Sequence, residues 1–307
     1  MAHEKILVAL GGNALIRRHE AGKHGEQLRN VRRTCRHIAK LVRRGHTVVV
    51  THGNGPQVGN LQIQMVAAKD EVPEMPLDVD VAMTQAQIGY MLQQELRNLL
   101  PHRGVATVVT QVVVDARDRA FGNPTKPVGP FYSAEKARTL AHRFRVAEDA
   151  GRGWRRVVPS PMPKGIVELR AIRKLLDSGT IVVACGGGGI PVVKTGRRLK
   201  GVEAVIDKDH ASALLANSLG IKTMAILTDV GHVMLGYGTK KQERLRKVSA
   251  GRMREYLRAG HFSEGSMKPK VEAALDFLSK GGRKVIITSL DNLVKGLEGG
   301  TGTIITP

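Results

Sequence analysis

The sequence predicts an α/β protein with a mostly parallel central sheet sandwiched by helices. Three observations predict it. Short apolar runs alternate with amphipathic segments along most of the chain, three of those runs end in glycine-rich turns, and the alternation breaks once, over about 115–164. Strand and helix in alternation is the pattern of parallel strands joined by helical crossovers that cover both faces of a sheet.

Taken in order, Lys5-Ile-Leu-Val-Ala-Leu10 is a short buried strand that ends in Gly11-Gly12-Asn13. A helix over about 26–44 follows, because Leu28, Val31, Cys35, Ile38 and Val42 recur at steps of three and four and share one face. The opposite face carries Arg29, Arg32, Arg33, Arg36, Lys40, Arg43 and Arg44, and Gly45 closes the helix. His46 to Thr51 is a second strand, running into His52-Gly53-Asn54-Gly55-Pro56. Helices over 57–68 and 79–100 are separated by Pro73 and Pro76, and a strand over 105–114 comes next. The stretch 115–164 holds six of the 13 prolines and no clean period, so it reads as an excursion or lid rather than a strand of the central sheet. Regularity returns with a helix over 166–176 and a strand over 180–185 that ends in Gly186 to Gly189. A hairpin or loop over 192–205, a helix from about 207 to 219, a strand over 223–228 and a basic stretch over 240–258 follow. A helix over 270–280, a strand over 284–288 and a last strand over 302–306 complete the chain.

With 307 residues, 42% of them hydrophobic and 24% charged, the chain can bury a core without staples and is too apolar for disorder. Its apolar runs fall short of the roughly 18 residues that cross a bilayer, and Ile6 to Leu10 is too short for a secretory signal. Cys35 and Cys185 are far apart and form no CxxC pattern, so a reducing, cytoplasmic setting is expected. The outlier is a net charge of +21. It fits a binder of nucleic acid or another anionic surface, or an enzyme for anionic substrates with a basic exterior. An aromatic content of 3% counts against binding single strands by base stacking.

The three turns, Gly11-Gly12-Asn13, Gly53-Asn54-Gly55 and Gly186 to Gly189, stand at predicted strand ends, where glycine admits a ligand close to the backbone and a following helix offers free N–H groups to an anion. Neither a P-loop nor a dinucleotide fingerprint is present. Asp207-Lys208-Asp209-His210 stands at a predicted helix start. Asp207 reads as an N-cap, but Lys208 opposes the helix dipole there while matching an anionic ligand. Gly265-Ser266-Met267-Lys268-Pro269-Lys270 is a second such group, open both to an anion-binding reading and to a plain Ser cap with Pro in the first turn. Lysines from separate loops with an aspartate between them suit phosphoryl transfer, which works by positioning and by cationic stabilisation of the moving oxygens. There is no Gly-x-Ser-x-Gly elbow and no HExxH helix, and the 11 histidines are scattered, which disfavours a His-built metal site.

Beyond these local signals, the chain resembles the carbamate kinases of the amino acid kinase family. The stretches that carry the resemblance are Ala9-Leu-Gly-Gly-Asn-Ala-Leu15, Thr51-His-Gly-Asn-Gly-Pro-Gln-Val-Gly59, Gln85-Ala-Gln-Ile-Gly-Tyr-Met91, Pro124-Thr-Lys-Pro-Val-Gly-Pro-Phe-Tyr132 and Gly153-Trp-Arg-Arg-Val-Val-Pro-Ser-Pro161. They continue with Ala184-Cys-Gly-Gly-Gly-Gly-Ile-Pro191, Gly201-Val-Glu-Ala-Val-Ile-Asp-Lys-Asp209, Leu227-Thr-Asp-Val230 and the run from Gly260 to Ala274. The resemblance implies the amino acid kinase fold and reversible transfer between ATP and carbamate, giving ADP and carbamoyl phosphate, with Mg²⁺ on the nucleotide phosphates and a homodimer. It implies an N-terminal lobe over 1–178, with a protruding subdomain at about 115–164, and a nucleotide lobe over 179–307. It places Gly11, Gly12, Asn13, Gly53 and Asn54 on the carbamoyl group. Lys126, Lys208, Asp209 and Lys270 become the catalytic candidates, and Asp229, Gly186, Gly187 and Lys270 lie toward the nucleotide. Nucleic acid and membrane are not implied partners. The chain departs from the family pattern at Lys268, which either adds a third cation or points to solvent, at Gly231-His232, and at the peripheral-looking Asp80-Val81 and Arg119.

Overall fold

A computed structural model describes residues 3–17, 19–142, 144–148 and 153–307. The chain begins with β1 (Lys5–Leu10), α1 (His24–Arg43), β2 (Thr47–His52), α2 (Gly55–Ala67), α3 (Leu77–Leu99), β3 (Val105–Thr107) and β4 (Gln111–Val114). It continues with β5 (Lys126–Tyr132), α4 (Ala134–Leu140), β6 (Val146–Glu148), β7 (Trp154–Val158), β8 (Pro163–Ile166), α5 (Leu169–Asp177), β9 (Ile181–Val183), β10 (Ile190–Thr195) and β11 (Arg198–Gly201). The last part holds α6 (Lys208–Ser218), β12 (Thr223–Leu227), β13 (Met234–Leu235), β14 (Glu243–Arg244), β15 (Lys247–Ser249), α7 (Ala250–Arg258), α8 (Met267–Ser279), β16 (Lys284–Thr288), α9 (Leu293–Leu297) and β17 (Thr303–Thr306).

The main sheet has eight strands in the order β15-β17-β16-β12-β1-β2-β9-β3. All its pairs are parallel except β16 with β17. Period-2 alternation sorts each central strand onto two cores. In β1, Leu7 and Ala9 face a cluster with α5, α6 and α8, whereas Ile6, Val8 and Leu10 face one with α1 and α3. Strands buried on both faces carry near-continuous apolar runs, which is why Lys5–Leu10 and Thr223–Leu227 read so clearly in the sequence. The sheet is continuous across the expected 178/179 boundary, since β9 lies between β2 and β3, and β1 pairs with β12.

The strand expected over 105–114 is two strands in different sheets, and Thr110 explains the break. Gln85 accepts from the Thr110 N–H at 2.8 Å and donates to its carbonyl at 3.1 Å, and that carbonyl also accepts from the Ile190 N–H of β10 at 2.9 Å, so the chain leaves β9 here and turns toward β10. β4 then joins a second sheet, β11-β10-β4-β8. The helix expected over 166–176 starts only at Leu169, because 163–166 pair with β4 as β8. The proline-rich excursion is a small antiparallel sheet, β5-β7-β6, with α4, outside the central one. It rests on the body through Val128 and Val158, packed with Val58, Leu77 and Val81. The basic face of α1 is partly consumed at home: Arg32 pairs with Glu95 at 3.0 Å, Arg43 donates to the Leu99 carbonyl at 2.9 Å, and Arg33 and Arg44 pair with Asp291 and Glu298.

Candidate active site

Two helices begin at one place. Asp207 is the N-cap of α6, its Oδ1 accepting from the N–H groups of Asp209 at 2.9 Å and His210 at 3.4 Å. Lys208 and Asp209 are therefore the first residues of the helix, and α6 is fixed to β2 by Ser212, whose Oγ lies 2.7 Å from Thr51 Oγ1 and donates to the Lys208 carbonyl. Asp209 is 2% exposed. Lys208 Nζ pairs with its Oδ1, and Lys270, on the first turn of α8, reaches its Oδ2 at 3.4 Å while also donating to the Ser266 carbonyl at 3.1 Å. Two lysines from separate helix starts thus meet on one buried carboxylate, which offsets the repulsion between them and limits their motion. A third lysine arrives from the lid: Lys126 on β5 donates to Asp207 Oδ2 at 2.9 Å. Burial pushes the Asp207 carboxyl up, but Lys126 beside it overrides that and holds it well below the usual carboxylate range.

The glycine turns pack around this group. Gly53 lies against the Lys208 side chain, since a Cβ there would sit 3.5 Å from Lys208 Cδ. Gly11 is required, because its Cβ would come within 2.6 Å of the Leu227 carbonyl oxygen. Gly12 and Asn13 continue in a single 3-10 turn over Gly12–Ala14; the Asn13 side chain lies outside the described residues. The third turn is buried and left-handed, with φ of +51° at Cys185, +65° at Gly187 and +93° at Gly188. A Cβ on Gly186 would strike the His52 ring, and one on Gly187 would overlap the Asn54 amide. The turn is anchored from behind by Thr110, whose Oγ1 accepts from the Cys185 N–H at 3.0 Å, and Asn54 donates to Thr84 Oγ1 at 2.9 Å. Burial, with Lys208 nearby, pushes the His52 imidazole down to about 4, so it is neutral around pH 7.

Lys126, Lys208, Asp209, Lys270, Gly53 and Asn54 therefore form one cluster. Gly186 and Gly187, expected to lie toward a nucleotide, pack against His52 and Asn54, and the described residues also enclose several cavities. Asp229 borders two of these. One, of about 340 Å³, runs past Gly11, Arg17, Arg33 and Asp291. The other, of about 370 Å³, is lined by His232, Met234, Tyr237, Phe262, Ser266 and Met267, and it ends one turn before Lys270. Lys268 pairs with the exposed Glu264 one turn away. His232 lines the larger cavity, and its Nε2 accepts from the Gly302 N–H at 3.2 Å. Asp80, peripheral in the sequence, is fully buried, and burial pushes its carboxyl up. Among the described residues, no group of three His, Cys, Asp or Glu side chains is placed to hold a metal ion.

Sequence reasoning missed three features of this site. Asp207 signals itself only as a cap, and its pairing with Lys126 spans 81 positions. His52 and the Gln85–Thr110 anchor sit in readable stretches, but nothing local says what they touch. The cavity beyond Asp229 is lined from loops with no periodicity.

Residues 4–289 match the amino acid kinase family. The carbamate kinase of Pyrococcus horikoshii is 51% identical over 99% of both chains, and that of Latilactobacillus sakei is 45% identical over 100% of both. The solved carbamate kinase from Giardia lamblia bound to AMP-PNP superposes with a TM-score of 0.94, at 43% identity over 99% of both chains. The pattern of turns, lysines and lid and the full-length similarity agree, and the chain belongs to the amino acid kinase family, among its carbamate kinases.

Proposed function

We propose that this phosphotransferase moves a phosphoryl group reversibly between ATP and carbamate, giving ADP and carbamoyl phosphate. The observation that carries the proposal is the meeting of Lys208 and Lys270 on the buried Asp209 carboxylate, with Gly53 against Lys208 and an open cavity lined by Ser266 and Met267 at the start of the helix that carries Lys270. In phosphoryl transfer the charge spreads over the equatorial oxygens of the moving group, and fixed cations stabilise it without reorganising. Lys208 and Lys270 supply those cations, and Asp209 holds them in place. Gly11, Gly12 and Asn13, with Gly53 and Asn54, hold the carbamoyl end, and Lys126 closes over it from the lid. The cavity bordered by Asp229 takes the nucleoside. In this reading Gly186 and Gly187 act from beneath, by seating Asn54.

Both oxygens of Asp209 are taken by lysines, and Asp207 is taken by Lys126 and two backbone N–H groups. The nearest acids are thus not free ligands, which suits Mg²⁺ carried on the nucleotide phosphates rather than held in a protein cage. When bound, the ion would offset charge on the nucleotide phosphates. The lobes over 1–178 and 179–307 would then serve the carbamoyl and nucleotide ends. A homodimer is the assembly we assign, since Met83, Tyr90 and Val109 leave an exposed apolar face at α3 and the β3 edge. A cytoplasmic setting suits Cys35 and Cys185, both free and buried.

Purified protein given ADP, Mg²⁺ and carbamoyl phosphate should form ATP, and given ATP and carbamate should form ADP. Absence of ATP overturns the proposal. A longer acid such as N-acetylglutamate should neither accept phosphate nor compete with carbamoyl phosphate.

A further inference from the structure

We propose that Asp207 is the positioning residue of the lid: one carboxylate caps α6 and holds Lys126 over the site, so that lid placement and the presentation of Lys208 share a single joint. The inference rests on the function proposed above. Capping needs one acceptor oxygen, and Ser, Thr or Asn serves as well as Asp. At Asp207 that oxygen is Oδ1, which receives the Asp209 and His210 N–H groups. The second oxygen and the negative charge are surplus to capping, and both are spent on Lys126. An ammonium has three N–H donors, so Lys126 can keep Asp207 and still offer two to an anionic ligand. Asp207 therefore orients this lysine rather than competing with substrate for it.

The neighbouring residues make the same segment the seat of the lid. The Val205 N–H donates to the Pro159 carbonyl at 3.0 Å, and Glu203 accepts from the Leu77 N–H at 2.9 Å while pairing with Arg156 on β7. The two lid ion pairs differ in shelter. Glu203 is 52% exposed at its side chain and Asp207 16%, while Arg156 is 15% and Lys126 31% exposed, so water reaches the carboxylate of the first pair more than that of the second.

The test uses Asp207→Asn, which keeps a capping oxygen and removes the charge, Lys126→Met, their double variant, and Glu203→Gln. Kinetics are read with carbamoyl phosphate and ADP, and the lid is probed by trypsin digestion of ligand-free protein at the basic residues of 134–156. Asp207→Asn should raise KM for carbamoyl phosphate about tenfold, the size of one charge-assisted contact, with kcat and KM for ADP within about threefold. Lys126→Met should match it, and the double variant should be no worse than Lys126→Met alone. Trypsin should cut the lid severalfold faster in Asp207→Asn and Lys126→Met, and less than about twofold faster in Glu203→Gln. An unchanged KM in Asp207→Asn, or single effects that multiply in the double variant, overturns the inference. So does a loss shared equally by both substrates, which would mark a purely structural role. If wild type forms no ATP, the proposed function falls, but the digestion still decides the role of Asp207. If Asp207→Asn does not fold, an unchanged cutting rate in Lys126→Met overturns the inference.

Discussion

At the glycine-turn end of the site the places where side chains could stand are already taken: His52 fills the space over Gly186, Asn54 that over Gly187, and Leu227 that over Gly11. Beyond Asp229 the protein does the opposite and leaves about 370 Å³ open between loops. The closed end is made of backbone held by buried side chains, and in the function proposed above it fixes where the small anion sits. The open end is made of side chains such as Tyr237, 68% exposed, that a large ligand can cover. Between them stands the Lys208–Asp209–Lys270 group, anchored to two helices. Such a division suits a reaction in which the small partner must be aligned within fractions of an ångström and the large one can be gripped broadly.

The largest effect should come from the group between the two ends. Asp209→Ala leaves two sheltered lysines without their shared carboxylate; kcat should fall about 10³-fold and stability by about 3–5 kcal/mol, read by steady-state kinetics and denaturant unfolding. The closed end comes next. Gly187→Ala adds a methyl where the Asn54 amide sits, at a φ of +65°. It should lower kcat/KM for carbamoyl phosphate about 10²-fold while moving KM for ADP little, and equal effects on both substrates would dissolve the contrast.

The same end should respond to pH through His52. Its folded value of about 4 lies below the ordinary 6.5, so the unfolded chain takes up the proton first. The stability this imidazole contributes is full above pH 6.5 and is lost as pH falls from 6.5 to 4, in all about 3 kcal/mol. Denaturation of wild type and His52→Gln at pH 7.5 and 5 checks this: the gap between them should narrow at the lower pH. The smallest effect belongs to the open end, where Tyr237→Ala should raise KM for ADP only about threefold and leave carbamoyl phosphate untouched.

The contrast also explains what the sequence disclosed. Strands buried on two faces, such as β1 from Ile6 to Leu10, announce themselves because each of those residues must be apolar, and the turns announce themselves because Gly11 and Gly187 can be nothing else. Lys208 and Lys270 were legible as cations at helix starts, where the dipole disfavours them. What stayed hidden depends on distant partners. The break at Thr110 is made by Gln85, 25 residues away, and the second duty of Asp207 is set by Lys126. The close approach of Gly187 to the Asn54 amide is likewise encoded by no spacing. The cavity residues His232 and Phe262 come from loops whose composition is ordinary.

The central claim is that the fixed lysines perform the transfer while the lid lysine places the substrate. Comparing Lys208→Ala with Lys126→Ala in ATP formation from carbamoyl phosphate and ADP tests it most directly. Lys208→Ala should lose about 10²- to 10³-fold in kcat with little change in KM, and Lys126→Ala should show mainly a rise in KM. The reverse pattern, or a Lys208→Ala enzyme with kcat intact, would contradict it.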